Sequence, residues 1–197
     1  MNSGILNCPR CPWCGTDPLY VAYHDTEWGV PSHDDRHLFE MFVLEGMQSG
    51  LSWITILRKR AAFRLAFKNF DPVRVARFGP DEITKLLQNE RIIRNRAKIE
   101  ASISNAQVAL TVQEKYGSLD AFFWRFAEEG QFVNKWRDYK EAPAKTELSE
   151  RISKECKNAG FKFFGPTVAY AFMQAVGMVN DHETTCFRYP EVNRIRK

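Results

Sequence analysis

The 197-residue sequence contains no apolar run long enough to cross a bilayer, and its opening, MNSGILNCPRCPWCG, lacks the basic-then-apolar order of a signal peptide. The first absence argues against a membrane-spanning segment, and no membrane partner is expected; the second makes the cytoplasm the expected compartment. Period-two alternation over any useful length is also missing, which argues against a sheet and for an all-α fold. Charge of one sign is not dominant: 28 Lys plus Arg stand against 24 Asp plus Glu, for a formal charge of +4, which permits a polyanionic partner without requiring one. Five cysteines, three of them at Cys8, Cys11 and Cys14, do not make a disulfide framework and fit reduced thiols or metal ligands. Hydrophobic residues at 44% and aromatics at 13% exclude a disordered chain, so a single domain over 1–197 with a real core is expected.

The chain is organised around 39–53, FEMFVLEGMQSGLSW. Leu38, Phe42, Glu45 and Ser49 follow one another at spacings of four, three and four, so Glu45 shares a helical face with apolar side chains. A carboxylate there needs a hydrogen-bonding neighbour, a cation or a ligand, because burial alone raises its pKa and costs stability.

In chain order, Asp17-Pro18 starts a short helix over 19–28, on which Tyr20, Tyr23, His24 and Glu27 recur at three and four. Ser32, with Asp35 three residues on, reads as a capping box for a helix over 33–48. Helical segments follow over 52–70, with Arg58-Lys59-Arg60 as a solvated basic knot, and then short helices after Asp71-Pro72 and Gly79-Pro80. A long amphipathic helix carries Ile99, Ile103, Ala106 and Leu110. Its approach holds Arg91, Arg94, Arg96 and Lys98, a cationic turn entering a helix N-terminus that suits a phosphate. The segment 130–145 reads as a polar, mobile loop, 146–158 as a helix, and 167–176 as an apolar helix of the core.

His182-x3-Cys186 places two soft ligands one helical turn apart, while the N-terminal region supplies three cysteines and His24. Zinc takes four such ligands in closed tetrahedral sites, so a structural metal tying the ends together fits this distribution. Spacing does not choose the four. Three N-terminal cysteines with His182 or Cys186 satisfy the same rule as one cysteine with His24, His182 and Cys186.

The runs DPLYVAYHDTEWGVP, LFEMFVLEGMQSGLSWITILRKR and FKFFGPTVAYAFMQAVGMVNDH, with the following Cys186, closely resemble the 3-methyladenine DNA glycosylase I family. The resemblance implies a helix-hairpin-helix fold of two helical lobes, with zinc held by Cys11, His24, His182 and Cys186. It makes Glu45 the carboxylate that contacts the base and Tyr23, Trp53, Tyr20, Trp13 and Trp28 its aromatic pocket. The turn with Gln48, Gly50 and Leu51 would lie against the gap left in duplex DNA, and Arg91, Arg94, Arg96 and Lys98 would belong to the hairpin that grips phosphates. Family members often carry glycine where this chain has Arg91, which is strained if that turn needs a positive φ. The implied activity is monofunctional hydrolysis of 3-methyladenine from double-stranded DNA containing alkylated adenine, by a monomer. Rings and a carboxylate suit that cationic base. A non-catalytic DNA-binding module and a zinc hydrolase are the rival readings; neither accounts for a carboxylate among rings.

Overall fold

Proline sets where four of the helices begin. The structure, a computed structural model, describes residues 9–194. Among them, α1 (Pro18–Thr26), α4 (Pro72–Val75), α5 (Pro80–Gln88) and α9 (Pro166–Ala175) each open on a proline, whose missing N–H is not needed in a first turn. Asp17 and Asp71 accept from the first free backbone N–H groups of α1 and α4. The other helices are α2 (Asp35–Gln48), α3 (Trp53–Ala66), α6 (Arg96–Tyr116), α7 (Leu119–Trp124), α8 (Glu147–Ala159) and α10 (Arg188–Arg194). The fold is all-α apart from β1 (Phe132–Val133) and β2 (Val179–Asn180), a parallel pair two residues long and too short to leave an alternating pattern. No described helix is long and apolar enough to cross a membrane.

The hub is α2, which packs against α3, α6, α7 and α9. Ten consecutive residues, Leu38 to Met47, are buried on it, so both of its faces lie in the core. Phenylalanine fills that core: the Phe42 ring stacks on Phe164 at 4.1 Å between centroids and meets Phe161 at 4.7 Å. A second cluster, Phe63, Phe67 and Phe70, closes the space under α3.

Four local expectations differ from what forms. Ser32 does not cap α2; its N–H and carbonyl are taken by Val176 and Trp124, and Asp34 accepts from His37 instead. Asp35 is then free to accept from the backbone of Leu119 and Asp120 at the start of α7. Arg60 is not solvated: it lies between Glu27 (2.7 Å) and Glu40 (2.8 Å), because the α2–α3 packing turns it inward while Arg58 and Lys59 stay out. The segment 130–145 is not a free loop but is anchored to the rest of the fold, with Gln131 donating to the carbonyls of Gly29 and Gly177 and the Tyr139 N–H donating to Glu183. His182 and Cys186 occupy a turn, not a helix.

Two close approaches bring the chain ends together. The segment 29–32 runs against the end of α9, Gly29 N–H donating to Gln174 and Ser32 N–H to Val176. Gly177 makes this possible: its φ is +72°, and a β-carbon there would fall 2.2 Å from the Val30 carbonyl carbon.

Candidate active site and metal cluster

One cavity, about 250 Å³, opens beside the C-terminal end of α2. The single-turn 3-10 helix Pro12–Cys14 contributes Trp13, α1 contributes Tyr20 and Tyr23, and Trp28 follows α1; α2 supplies Glu45 and Gln48, and α3 begins with Trp53. The rings form two walls. Trp13 meets Tyr20 at 5.1 Å and Trp28 at 4.8 Å on one side, and Tyr23 meets Trp53 at 5.5 Å on the other.

Glu45 is 4% exposed, and no described residue gives its carboxylate a hydrogen bond or an ion pair. Burial alone pushes it up to about 8. The indole Nε1 of Trp53 is likewise buried without a partner. An acceptor and a donor left unsatisfied in one ring-lined cavity are what a polar, flat ligand would complete. The other glutamate of α2, Glu40, differs. Burial works against its charge, but the guanidinium groups of Arg64 and Arg60 hold it below the usual carboxylate range.

Behind the first ring wall, Cys11, His24, His182 and Cys186 come together, all buried, with their ligand atoms within 4.8 Å of one another. Cys186 Sγ lies 3.4 Å from His24 Nε2 and 3.7 Å from His182 Nδ1, and Cys11 Sγ lies 3.6 Å from His182 Nδ1. Four donors at bond lengths of about 2.0–2.3 Å around one tetrahedral ion would have such separations. The outer groups suit the same ion: His24 Nδ1 contacts Asp25 at 2.8 Å, and His182 Nε2 contacts the Trp28 carbonyl at 3.1 Å. The thiols face one another. Hydrogen bonding to Cys186, then burial, raises Cys11, and the Cys11 hydrogen bond lowers Cys186, so a cation is what would let both ionise. Cys14 stands apart, its Sγ donating to the Cys11 carbonyl at 3.2 Å, and Cys8 lies outside the described residues. The cluster therefore ties the first described residues to the last part of the chain and could hold a metal ion. It also buttresses the pocket, with Trp28 edge-on to His182 at 4.7 Å and Trp13 to His24 at 5.3 Å.

The structure places the cationic turn next to α2's exit. Arg91, Arg94 and Arg96 are exposed, the last two in loose pairs with Glu90 and Glu100. Arg91 is not among the described residues with positive φ, so arginine in place of glycine brings no backbone strain; its N–H donates to the Asn89 side chain at 3.0 Å. Lys98 is differently employed, donating to the carbonyls of Met47 and Ser49. Gly50, at φ +83°, turns the chain and leaves Leu51 41% exposed.

Sequence reasoning missed Tyr139, Ala142, Ala171, Gln174 and Asp181, which complete the cavity wall. Asp181 is buried and accepts from four neutral donors, Asn134, Trp136, Tyr170 and Gln174, at 2.6–2.8 Å. Only Gln174, a lone amide in an apolar helix, left a trace in the sequence.

A mostly helical fold with rings around an unpartnered carboxylate, beside a cationic turn between two helices, has the make-up of a DNA glycosylase that takes a base out of the stack. The sequence pattern described as methyladenine glycosylase matches residues 13–189, and the chain belongs to that family. It is 47% identical over 181 residues to DNA-3-methyladenine glycosylase 1 of Escherichia coli strain K12, covering 92% of this chain and 97% of that protein. Its fold matches a crystal structure of 3-methyladenine DNA glycosylase I with a TM-score of 0.90 at 48% identity, over 92% of this chain and 100% of the other. A variant of 3-methyladenine DNA glycosylase I in complex with 3-methyladenine matches with a TM-score of 0.89 at 32% identity, over 92% and 97%.

Proposed function

We propose that the chain is a monofunctional DNA N-glycosylase that hydrolyses 3-methyladenine from alkylated double-stranded DNA, the first step of base excision repair. The observation that carries this reading is Glu45: a buried carboxylate with no partner, facing rings in a cavity of a purine's scale. In the DNA, the methylated base bears a positive charge. Tyr23 and Trp53 on one side and Trp13, Tyr20 and Trp28 on the other hold it by stacking and cation–π attraction, and Glu45 accepts from its N–H edge. Neutral adenine draws less from the same walls, and unpairing costs least for a damaged base.

The chemistry needs little from the protein beyond this. The bond from the base nitrogen to C1′ breaks with its electron pair going to the base, which leaves neutral. Water adds to the oxocarbenium-like sugar at C1′, and the proton it loses passes to solvent. The positive base draws the proton off Glu45 as it binds, and the carboxylate so formed pairs with the N–H edge and holds the base in place while the bond breaks. Gln48, Gly50 and Leu51 occupy the gap left by the flipped nucleotide, while Arg91, Arg94 and Arg96 meet phosphates. A closed set of two thiolates and two imidazoles, with no open position, fits zinc in a structural role. Cys11, His24, His182 and Cys186 would hold it, and through Trp13 and Trp28 they set one pocket wall. The enzyme works as a cytoplasmic monomer of one domain.

Incubation with methylated duplex DNA, followed by chromatography of the released bases, tests the reading. Free 3-methyladenine should appear without strand cleavage; release at the background rate would refute it. Zinc is tested by elemental analysis of the purified protein, one ion per chain being expected.

A further inference from the structure

In the run Phe161-Lys162-Phe163-Phe164, two of the three rings are 6% exposed and the third, Phe163, is 45% exposed. Its backbone is left-handed, at φ +55°. A residue with a β-carbon adopts that conformation at a cost, and holds it only where the surroundings over-determine it. They do so here. Asn105, buried on α6, accepts from the Lys162 N–H at 2.8 Å and donates to the Lys162 carbonyl at 3.0 Å. Ser153 on α8 donates to the Phe164 carbonyl at 2.8 Å. Both neighbours are clamped and the ring between them is held out.

The ring's place on the molecule gives it a partner. The Phe163 carbonyl lies over Gly46 of α2, where a β-carbon would approach it to 3.4 Å. Glu45 and Gln48 line the cavity, and Gly46, about 100° further round the helix from Glu45, points elsewhere. The last turn of α2, which runs into Gln48–Leu51, thus stands between the cavity and Phe163. We propose that Phe163 is a second apolar contact to duplex DNA, stacking on a base of the strand complementary to the flipped nucleotide, while the turn at 48–51 meets the damaged strand. Flipping one nucleotide leaves its former partner unpaired and the step beside it easily unstacked, and an aromatic ring inserted there stacks on any base without regard to sequence. The inference rests on the reading of the chain as a duplex-DNA glycosylase.

The test uses the full chain and a duplex that carries a tetrahydrofuran abasic analogue opposite 2-aminopurine. Phe163→Gly suits the left-handed backbone without strain, Phe163→Ala is a second variant against loop softening, and Phe163→Tyr keeps the ring. Wild type and the tyrosine variant should shift the 2-aminopurine fluorescence on binding. The glycine and alanine variants should bind the duplex on the order of tenfold more weakly and lose that shift. Their affinity for free 3-methyladenine should match wild type, which shows the pocket intact. Unchanged duplex affinity, or weaker binding with the fluorescence shift retained, overturns the proposal. A wild-type protein that neither binds this duplex nor releases 3-methyladenine refutes the underlying reading and takes this one with it.

Discussion

The ammonium of Lys98 donates to the carbonyl of Ser49 at 2.7 Å, and to that of Met47 at 2.9 Å. A cation in the first turn of α6 thereby closes the open C-terminal carbonyls of α2, in the way lysines near helix ends commonly do. It couples the cationic turn at 89–95 to the turn that carries Gly50 and Leu51. Burial depresses its pKa, which also marks it as less free for phosphate than its exposed neighbours.

Lys98→Met should therefore behave unlike the arginine variants. Loss of two bonds of about 1 kcal/mol each loosens the turn and should slow excision from duplex DNA roughly tenfold, with free-base affinity unchanged. Arg91→Gln and Arg94→Gln should each lower the slope of log affinity against log salt by about one, and Lys98→Met should lower it by much less. Salt-titrated fluorescence anisotropy with duplex DNA separates the two roles. An equal slope change for Lys98→Met would make it a phosphate ligand instead.

Glu45 should make stability depend on pH. Its folded pKa is about 8 against an ordinary 4.5, so between these values the folded protein keeps a proton that the unfolded chain has released. The contribution of Glu45 to stability is then full below pH 4.5, falls as pH rises toward 8, and levels off above. Glu45→Gln removes the effect. Its Tm relative to wild type should climb by roughly 5–10 °C between pH 5 and pH 8.5, a difference of a few kcal/mol. Parallel Tm curves across that range would show that the carboxylate is solvated or paired.

Metal loss should reach the pocket through its wall. Trp28 and Trp13 pack edge-on against His182 and His24, so chelation or Cys186→Ser should lower the Tm by roughly 10 °C or more and weaken binding of free 3-methyladenine. Calorimetry and tryptophan fluorescence titration report the two effects. A metal-depleted protein with unaltered Tm and base affinity would contradict the role given to the cluster.

Gly177→Ala tests the joining of the chain ends without touching a ligand. At φ +72°, and with Val30 backbone within 2.4 Å of the added carbon, one of the two segments must move. About 3 kcal/mol or more should be lost, a fall in Tm of roughly 10 °C. Gly50→Ala, where the added carbon meets nothing within 4 Å, should cost much less.

What could be read from residues alone follows from whether the signal was local. Helix starts at Asp17-Pro18, Asp71-Pro72 and Thr146 were legible because a cap and its helix are adjacent in the chain. Glu45 was conspicuous because a carboxylate on an apolar face breaks a periodic pattern. The cysteine and histidine clusters suggested a metal, but choosing Cys11 over Cys14 needed either the family resemblance or the fold, since both lie on one short turn. Asp181 gave no sign, because its four donors come from segments 7 to 47 residues away. Arg60 misled for the same reason: a basic triplet looks solvated until α3 is packed on α2. Phe163 reads as one more core ring, and it is turned outward by the clamps on its neighbours from Ser153 and from Asn105, 57 residues upstream of Lys162.

The account turns on Glu45 in its ring-lined cavity, and base release from methylated duplex DNA by wild type and Glu45→Gln tests it most directly. Wild type should release 3-methyladenine, and Glu45→Gln, folded by circular dichroism, should release it about a hundredfold more slowly, as expected for loss of a charged hydrogen-bond partner of the base. Equal rates for the two proteins would contradict the role assigned to this carboxylate.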